Sequence, residues 1–412
     1  MSGRDVALQR LPRNVCGGNV RNCNIRVENA FTGNGDVASQ RLYPVHPTKT
    51  VSFKKPDHQP FNHTVSLNLS QFNHEQPFTL ESGGVLPRFN LVYATAGTLN
   101  AAADNVVWVC HALTGNADPT EWWGGLVGEG KFYNPGEHFI VCANILGSHY
   151  GSTGPFSLNP QTNDRYYHDF PFVTIRDMVN AMELLRKHLK INGIHTCIGG
   201  SLGGQQALEW AVMQPNLIEN LVLMATNAQH SAWGIAFNES QRMAIETDPT
   251  WPERRPDAGS NGMKTARAIA LLSYRHYDIY TQKQTSPDHN RHDDFPASSY
   301  QRYQGEKLAK RFNAFSYWTL SKAMDSHHVG RGRGGAETAL RQIRAKTLVL
   351  GITTDLLFPV AEQRFLAAHI SNATYAEMDS IYGHDGFLIE YEDLNRILRV
   401  FYGTSPAKNN RR

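Results

Sequence analysis

Five cysteines in 412 residues are too few, and odd in number, for a disulfide framework. Cys110, Cys142 and Cys197 fall within or at the ends of apolar runs, where a free thiol behaves as a small hydrophobe. Cys16 and Cys23 stand alone in the leading segment, without zinc-ligand spacing to nearby histidines. A reducing compartment, the cytoplasm, is the expected location. No apolar run approaches the ~20 residues that cross a bilayer. The N-terminus has charges but lacks the hydrophobic stretch of a secretory signal, so no membrane partner is expected. Charge of one sign is also scarce. The formal net charge is +3, but residues 1–62 hold nine Lys and Arg against four acids, leaving 31 against 33 in the rest. A near-neutral body gives no support for nucleic acid as a partner. Charged residues at 19% and apolar ones at 41% suit a packed chain rather than a disordered one.

Residues 1–62 are rich in Asn, Gly, Arg and His with no sustained periodicity, and read as a mostly disordered leader; the globular part begins near Val65. Phe89–Tyr93, Val106–Cys110, Phe139–Cys142, Leu221–Ala225, Thr347–Gly351 and Ala373–Met378 read as strands. Thr174 and Asp177 form a variant capping box for a helix reaching about Lys190, with Met178, Ala181, Met182 and Leu185 on its apolar face. Strands alternating with helices imply an α/β fold, a mostly parallel sheet covered by helices on both faces. Between Ala225 and Arg344 the strand signals stop, and Ser240–Thr247, Met263–Tyr280 and Glu306–Met324 look helical. The expected organisation is a core of residues 63–225 and 341–412, interrupted by an all-helical lid at 226–340. The run Arg331-Gly332-Arg333-Gly334-Gly335 reads as a flexible exit from that lid rather than an RNA-binding tract.

Gly199-Gly200-Ser201-Leu202-Gly203-Gly204 carries the most information. It lies between an apolar run ending at Ile198 and the helical-looking Gln205–Ala211. Glycines on both sides let the chain turn sharply and hold Ser201 exposed at the carboxyl edge of a sheet. A serine hydroxyl is a poor nucleophile until an imidazole takes its proton, and the imidazole needs a carboxylate to fix its tautomer. Asp355 follows the Thr347–Gly351 run, and His384 follows Ala373–Met378. A loop aspartate more often caps a turn, and the chain has eighteen histidines. Three such residues, each just past a strand and in the order Ser, Asp, His, match the order of α/β-hydrolase enzymes. Acyl transfer also needs donors for an oxyanion. The expected donors are the backbone N–H of Leu202, next after the serine, and that of Leu113, in the loop after Val106–Cys110.

Two charged residues stand out. Arg267 interrupts the apolar stretch Ala266–Leu272 and, at helical spacing, shares a face with Met263, Ala270, Leu271 and Tyr274. It must reach water, a carboxylate or an anionic ligand, and spacing alone leaves all three open. Asp385 either N-caps a helix near Phe387 or puts a carboxylate beside His384.

With these motifs the chain, from roughly Glu75 to Tyr402, resembles the homoserine O-acetyltransferase family of α/β-hydrolase enzymes in methionine biosynthesis. The resemblance rests on His111-Ala112-Leu113-Thr114-Gly115, Gly151-Ser152-Thr153-Gly154-Pro155, the serine turn with Gln206-Ala207-Leu208-Glu209-Trp210, Ala266-Arg267, Asp355-Leu356-Leu357-Phe358-Pro359 and Gly383-His384-Asp385. It implies that Ser201 is acylated by acetyl-CoA, a co-substrate, and passes the acetyl group to the hydroxyl of L-homoserine. His384 then acts as base and acid in each half-reaction. Arg267 and Asp385 match positions that contact substrate, with its carboxylate and amine as expected partners. The family is typically a homodimer joined through the lid helices, and needs no metal or permanently bound cofactor. Succinyl-CoA as donor, serine as acceptor, and a serine esterase using water remain alternatives on the same scaffold. The loop Gly147-Ser148-His149-Tyr150 departs from the family's usual Gly-Gly-Cys-Lys or Gly-Gly-Cys-Arg.

Overall fold

The computed structural model describes residues 67–403. The expected leader, residues 1–62, lies outside the described residues, as do 63–66 and 404–412 at the margins of the expected core. Eight strands form the main sheet: β1 Asn68–His74, β2 Phe89–Ala96, β3 Val106–Cys110, β4 Phe139–Ala143, β5 Ile194–Gly200, β6 Ile218–Met224, β7 Lys346–Ile352 and β8 Ala373–Met378. Their order across the sheet is β1-β2-β4-β3-β5-β6-β7-β8. The pairs β1–β2 and β2–β4 are antiparallel, and every pair from β4 to β8 is parallel. After β3 the chain steps outward to β4, then returns past β3 to β5. The order reverses between β3 and β5, and at such a point the loops leaving the strand carboxyl ends diverge and open a crevice.

In the main sheet the strands read from sequence are those observed, except that β1 went unread. Its burial explains this, since only Phe72 of its seven residues is buried and the rest are mostly polar. The central strands are legible because both faces are covered. In β3, Val106, Trp108 and Cys110 enter one hydrophobic cluster while Val107 and Val109 enter the other. Helices α1 (Ile175–His188) and α2 (Leu202–Met213) cover the first face, and the ring of Trp210 meets that of Trp108 edge to face at 4.8 Å. The helix Tyr391–Tyr402 covers the second through Leu394, Leu398 and Phe401. Each fully buried side chain of this size contributes about 1.5–3 kcal/mol relative to exposure. The Thr174–Asp177 capping box is present at the start of α1.

Between β6 and β7 the chain is helical: α3 Ala232–Glu246, α4 Ser260–Tyr274, α5 Tyr277–Gln284, α6 Pro296–Ala309 and α7 Ala314–Asp325, then a short helix at Ala336–Leu340. Two breaks differ from the expected spans. The Met263–Tyr280 stretch divides because Arg275 is extended and His276 caps α5, accepting from the Asp278 N–H. Glu306–Met324 divides because the Asn313 side chain accepts from the Ser316 N–H at 2.8 Å and starts α7. Asparagine is a favoured N-cap, so this second break had a sequence signal. The Arg331–Gly335 run is clasped rather than loose. Arg333 pairs with Glu209 at 2.6 Å and Arg331 with Glu81 at 3.3 Å, while Arg176 joins both acids.

Candidate active site

Strand β5 delivers Ser201 into a backbone conformation that L-residues rarely adopt, with φ 56° and ψ −127°. Such strain costs about 1–3 kcal/mol and persists only where the surroundings hold it. Here the Ser201 N–H donates to the Met224 carbonyl at 3.0 Å and the Thr226 hydroxyl donates to the Ser201 carbonyl at 2.9 Å. The turn also needs glycine for closeness. A Cβ on Gly203 would lie 2.1 Å from the Cys110 carbonyl oxygen, and one on Gly199 would lie 2.3 Å from Gly203. With both absent, α2 packs against β3 and β5. The Ser201 hydroxyl makes no capping bond to α2, leaving it to face the cavity at the positive end of that helix.

Asp355, in the loop after β7, is fully buried at its side chain. One carboxylate oxygen, Oδ1, accepts from the N–H groups of Leu357 and Phe358 at 2.8 and 2.9 Å. The other, Oδ2, lies 2.7 Å from His384 Nδ1. A buried carboxylate in that position assigns the proton to Nδ1 and leaves Nε2 as the free base. The imidazole is stacked on Phe358 at 5.2 Å and meets Phe387 edge-on at 5.5 Å. Burial alone disfavours its cation, but the charge and hydrogen bond of Asp355, with a smaller contribution from Asp385, outweigh it and raise the pKa above the usual 6.5.

Ser201, His384, Leu113, Arg267 and Asp385 all line one cavity of about 340 Å³. Leu202 is the first residue of α2, so its N–H has no intrahelical acceptor. The Leu113 N–H likewise donates to no backbone acceptor among the described residues. The Leu113 turn is held by His111, for which the sequence alone offered no role. Burial lowers the His111 pKa to about 4. The neutral ring accepts from the Ile145 N–H at Nε2 and donates from Nδ1 to the Ala112 carbonyl at 2.9 Å. A larger groove, of about 560 Å³ and lined by Lys131, Phe132 and Arg396 among others, contains none of these groups.

Arg267 sits on the face of α4 expected from its spacing, beside buried Met263, Ala270 and Leu271, with its guanidinium 5.5 Å from the Tyr274 ring centre. Asp385 occupies the N-cap position of a short helix, Gly386–Ile389, yet its side chain makes no capping bond. It pairs instead with Arg275, Nε to Oδ2 2.9 Å. Arg275 and Arg311 also line the cavity and were missed from sequence. Arg275 reaches it because of the α4–α5 break, which periodicity did not register. Arg311 lies between α6 and α7, and nothing in its neighbours marks it. Among the described residues, no group of three or more His, Cys, Asp or Glu could hold a metal ion, and no helix is long and apolar enough to cross a membrane.

A family model described as alpha/beta hydrolase fold matches residues 105–391. The homoserine O-acetyltransferase of Cyclobacterium marinum is 55% identical over 339 residues, covering 82% of this chain and 96% of the relative. The crystal structure of homoserine O-acetyltransferase from Staphylococcus aureus superposes with a TM-score of 0.69 at 29% identity, covering 84% of this chain and 98% of that one. The acetyl esterase MekB superposes with a TM-score of 0.73 at 24% identity, covering 82% and 97%, a likeness of fold alone. The strand order, the Ser-Asp-His order and these matches agree: the chain belongs to the homoserine O-acetyltransferase family of α/β-hydrolase fold proteins.

Proposed function

We propose that the protein transfers an acetyl group from acetyl-CoA to the hydroxyl of L-homoserine through an acyl-serine intermediate. The observation that carries this reading is the 2.7 Å Asp355–His384 bond beside a cavity that also takes Ser201. In the first half-reaction Ser201 Oγ attacks the thioester carbonyl as His384 Nε2 takes its proton. The negative charge on the carbonyl oxygen is met by the Leu113 and Leu202 N–H groups. The C–S bond breaks, and the proton on His384 goes to the leaving thiolate. In the second half the homoserine hydroxyl, deprotonated by His384, attacks the acetyl-serine ester. O-acetylhomoserine leaves and Ser201 regains its proton. Arg267 and Asp385 fit the acceptor's carboxylate and ammonium. Residues 226–340 act as the lid in this scheme; Arg267, Tyr274, Arg275 and Arg311 from that segment line the cavity with Ser201, narrowing the path for water. We include in the proposal a homodimer through the lid, in line with the exposed apolar side chains of Leu272 and Tyr303 on α4 and α6.

The test crosses acetyl-CoA and succinyl-CoA with homoserine and serine, following CoA release and acylated product. The expected pattern is homoserine-dependent CoA release from acetyl-CoA with stoichiometric O-acetylhomoserine, falling about 10⁴-fold or more in Ser201→Ala. Release of CoA without acylated product, or turnover of p-nitrophenyl acetate indifferent to homoserine, would identify an esterase instead. Light scattering checks the dimer.

A further inference from the structure

Three segments far apart in sequence meet beside the cavity, which Thr114 and Arg311 both line. Residues 310–313, between α6 and α7, lie against the loop after β3 and the loop after β4. Arg311 is the centre of that contact. Its Nη1 donates to the Thr114 carbonyl and to the Tyr150 hydroxyl, both at 2.7 Å, and its Nη2 donates to the Thr114 hydroxyl at 3.2 Å. Beside it, Phe312 packs on the rings of His149 and Tyr150 at 5.7 and 5.8 Å. The Asn313 amide donates to His149 Nδ1 at 2.7 Å, an acceptor kept neutral as burial lowers that histidine's pKa. His149 and Tyr150 belong to the loop after β4 and receive the helical segment.

All of Arg311's acceptors are neutral, and among the described residues no carboxylate pairs with it. The bonds therefore fix geometry rather than neutralise charge. The turn they fix contains Leu113. Its near side is tied down by His111 and by the Gly115 N–H, which donates to the Ala112 carbonyl at 2.9 Å. The far side is held by Arg311 through Thr114. We propose that Arg311 is a positioning residue for the oxyanion-binding turn: it holds the Leu113 N–H in aim and makes that aim depend on docking of the α6–α7 segment. The proposal rests on the acyl-transfer reading above. A displacement of about 1 Å at such a site can cost about 10²-fold in rate, and loss of a whole oxyanion donor costs about 10²–10³.

The experiment compares Arg311→Met, Arg311→Lys, Tyr150→Phe and Thr114→Val in the full-length enzyme. It measures kcat, KM for homoserine, thermal stability, and affinity for a small alkyl boronic acid that forms a tetrahedral adduct on Ser201. Arg311→Met is expected to lower kcat by about 10–100-fold and weaken boronate affinity by a similar factor, with KM changed by about twofold or less. Arg311→Lys should recover part of both losses. Thr114→Val, which removes the longer bond and keeps the one to the backbone carbonyl, should lose less than Arg311→Met in both kcat and boronate affinity. Should Arg311→Met not fold, Arg311→Lys carries the test, lowering kcat and boronate affinity together, whereas Tyr150→Phe, which keeps both bonds to Thr114, should lower neither by more than about threefold. In the Arg311 variants, unchanged kcat, a fall in kcat without a matching fall in boronate affinity, or a raised KM at constant kcat each overturns the proposal. Persistence of turnover in Ser201→Ala would instead overturn the acyl-serine reading on which it stands.

Discussion

Replacing Asp355 by asparagine separates the orientation of His384 from the architecture around it. The carboxylate is held at both ends, with Oδ1 accepting two backbone N–H groups and Oδ2 facing His384 Nδ1. An amide NH₂ cannot face the two N–H donors, so the asparagine oxygen must take the Oδ1 place and its NH₂ must point at the imidazole. Nδ1 then has to accept, and the ring proton moves to Nε2, the nitrogen that should receive the Ser201 proton. The expected loss in kcat is about 10⁴-fold, or about 5 kcal/mol of barrier. The fold should survive, since both backbone bonds are kept. Asp355→Ala, by contrast, leaves two buried donors unsatisfied at about 1–3 kcal/mol each. The pH profile gives an independent reading. In the parent the neutral imidazole forms only above a pKa raised past 6.5, so the acid limb of kcat/KM lies above that value. Without the carboxylate, burial dominates and the limb of the residual activity moves down. The assay is CoA release monitored by a thiol reagent, with thermal melting alongside. Retention of kcat within tenfold of the parent by a folded Asp355→Asn protein would refute the tautomer argument.

Arg267→Ala should raise KM for homoserine about 10–100-fold, the equivalent of one charged hydrogen bond, while leaving acetylation of Ser201 by acetyl-CoA intact. Mass spectrometry of the acyl-enzyme checks this, and loss of the acetylated species would remove Arg267 from the acceptor site. Acid stability follows from three buried, neutral histidines: burial lowers His111 and His230 to about 4 and His327 to about 3. Their folded pKa values lie below the unfolded 6.5, so the unfolded chain takes up protons first. Their stabilising effect is complete above pH 6.5 and is lost as pH falls toward 4, at up to about 4 kcal/mol per pH unit for the three together. His384, raised rather than lowered, works in the opposite direction. Melting curves between pH 7 and 5 should show a steep fall in Tm; a flat profile would show that these histidines are not neutral when folded.

Ser201, Asp355 and His384 were legible in the chain because each needed only local information, a residue type directly after an apolar run. The central strands were legible for a related reason. Burial on both faces leaves continuous hydrophobic runs, whereas β1, with one buried side chain in seven, gave no such pattern. The helical segment was recognised in kind but not in its breaks. Periodicity continues smoothly through Arg275 and His276, and only the competing cap at His276 ends α4. The flexible reading of Arg331–Gly335 gave way to ion pairs with Glu81 and Glu209, partners too remote in sequence to be inferred.

By itself, then, the sequence determined the strand–turn–helix units and the chemical groups each presents, since backbone geometry and burial periodicity act over a few residues. Tertiary structure decided what each of the cavity's charges meets. Asp385 is held by Arg275, and Arg311 is bound to a carbonyl 197 positions away. Such pairings depend on how the helical segment settles over the sheet, and no short-range rule of chain geometry encodes that.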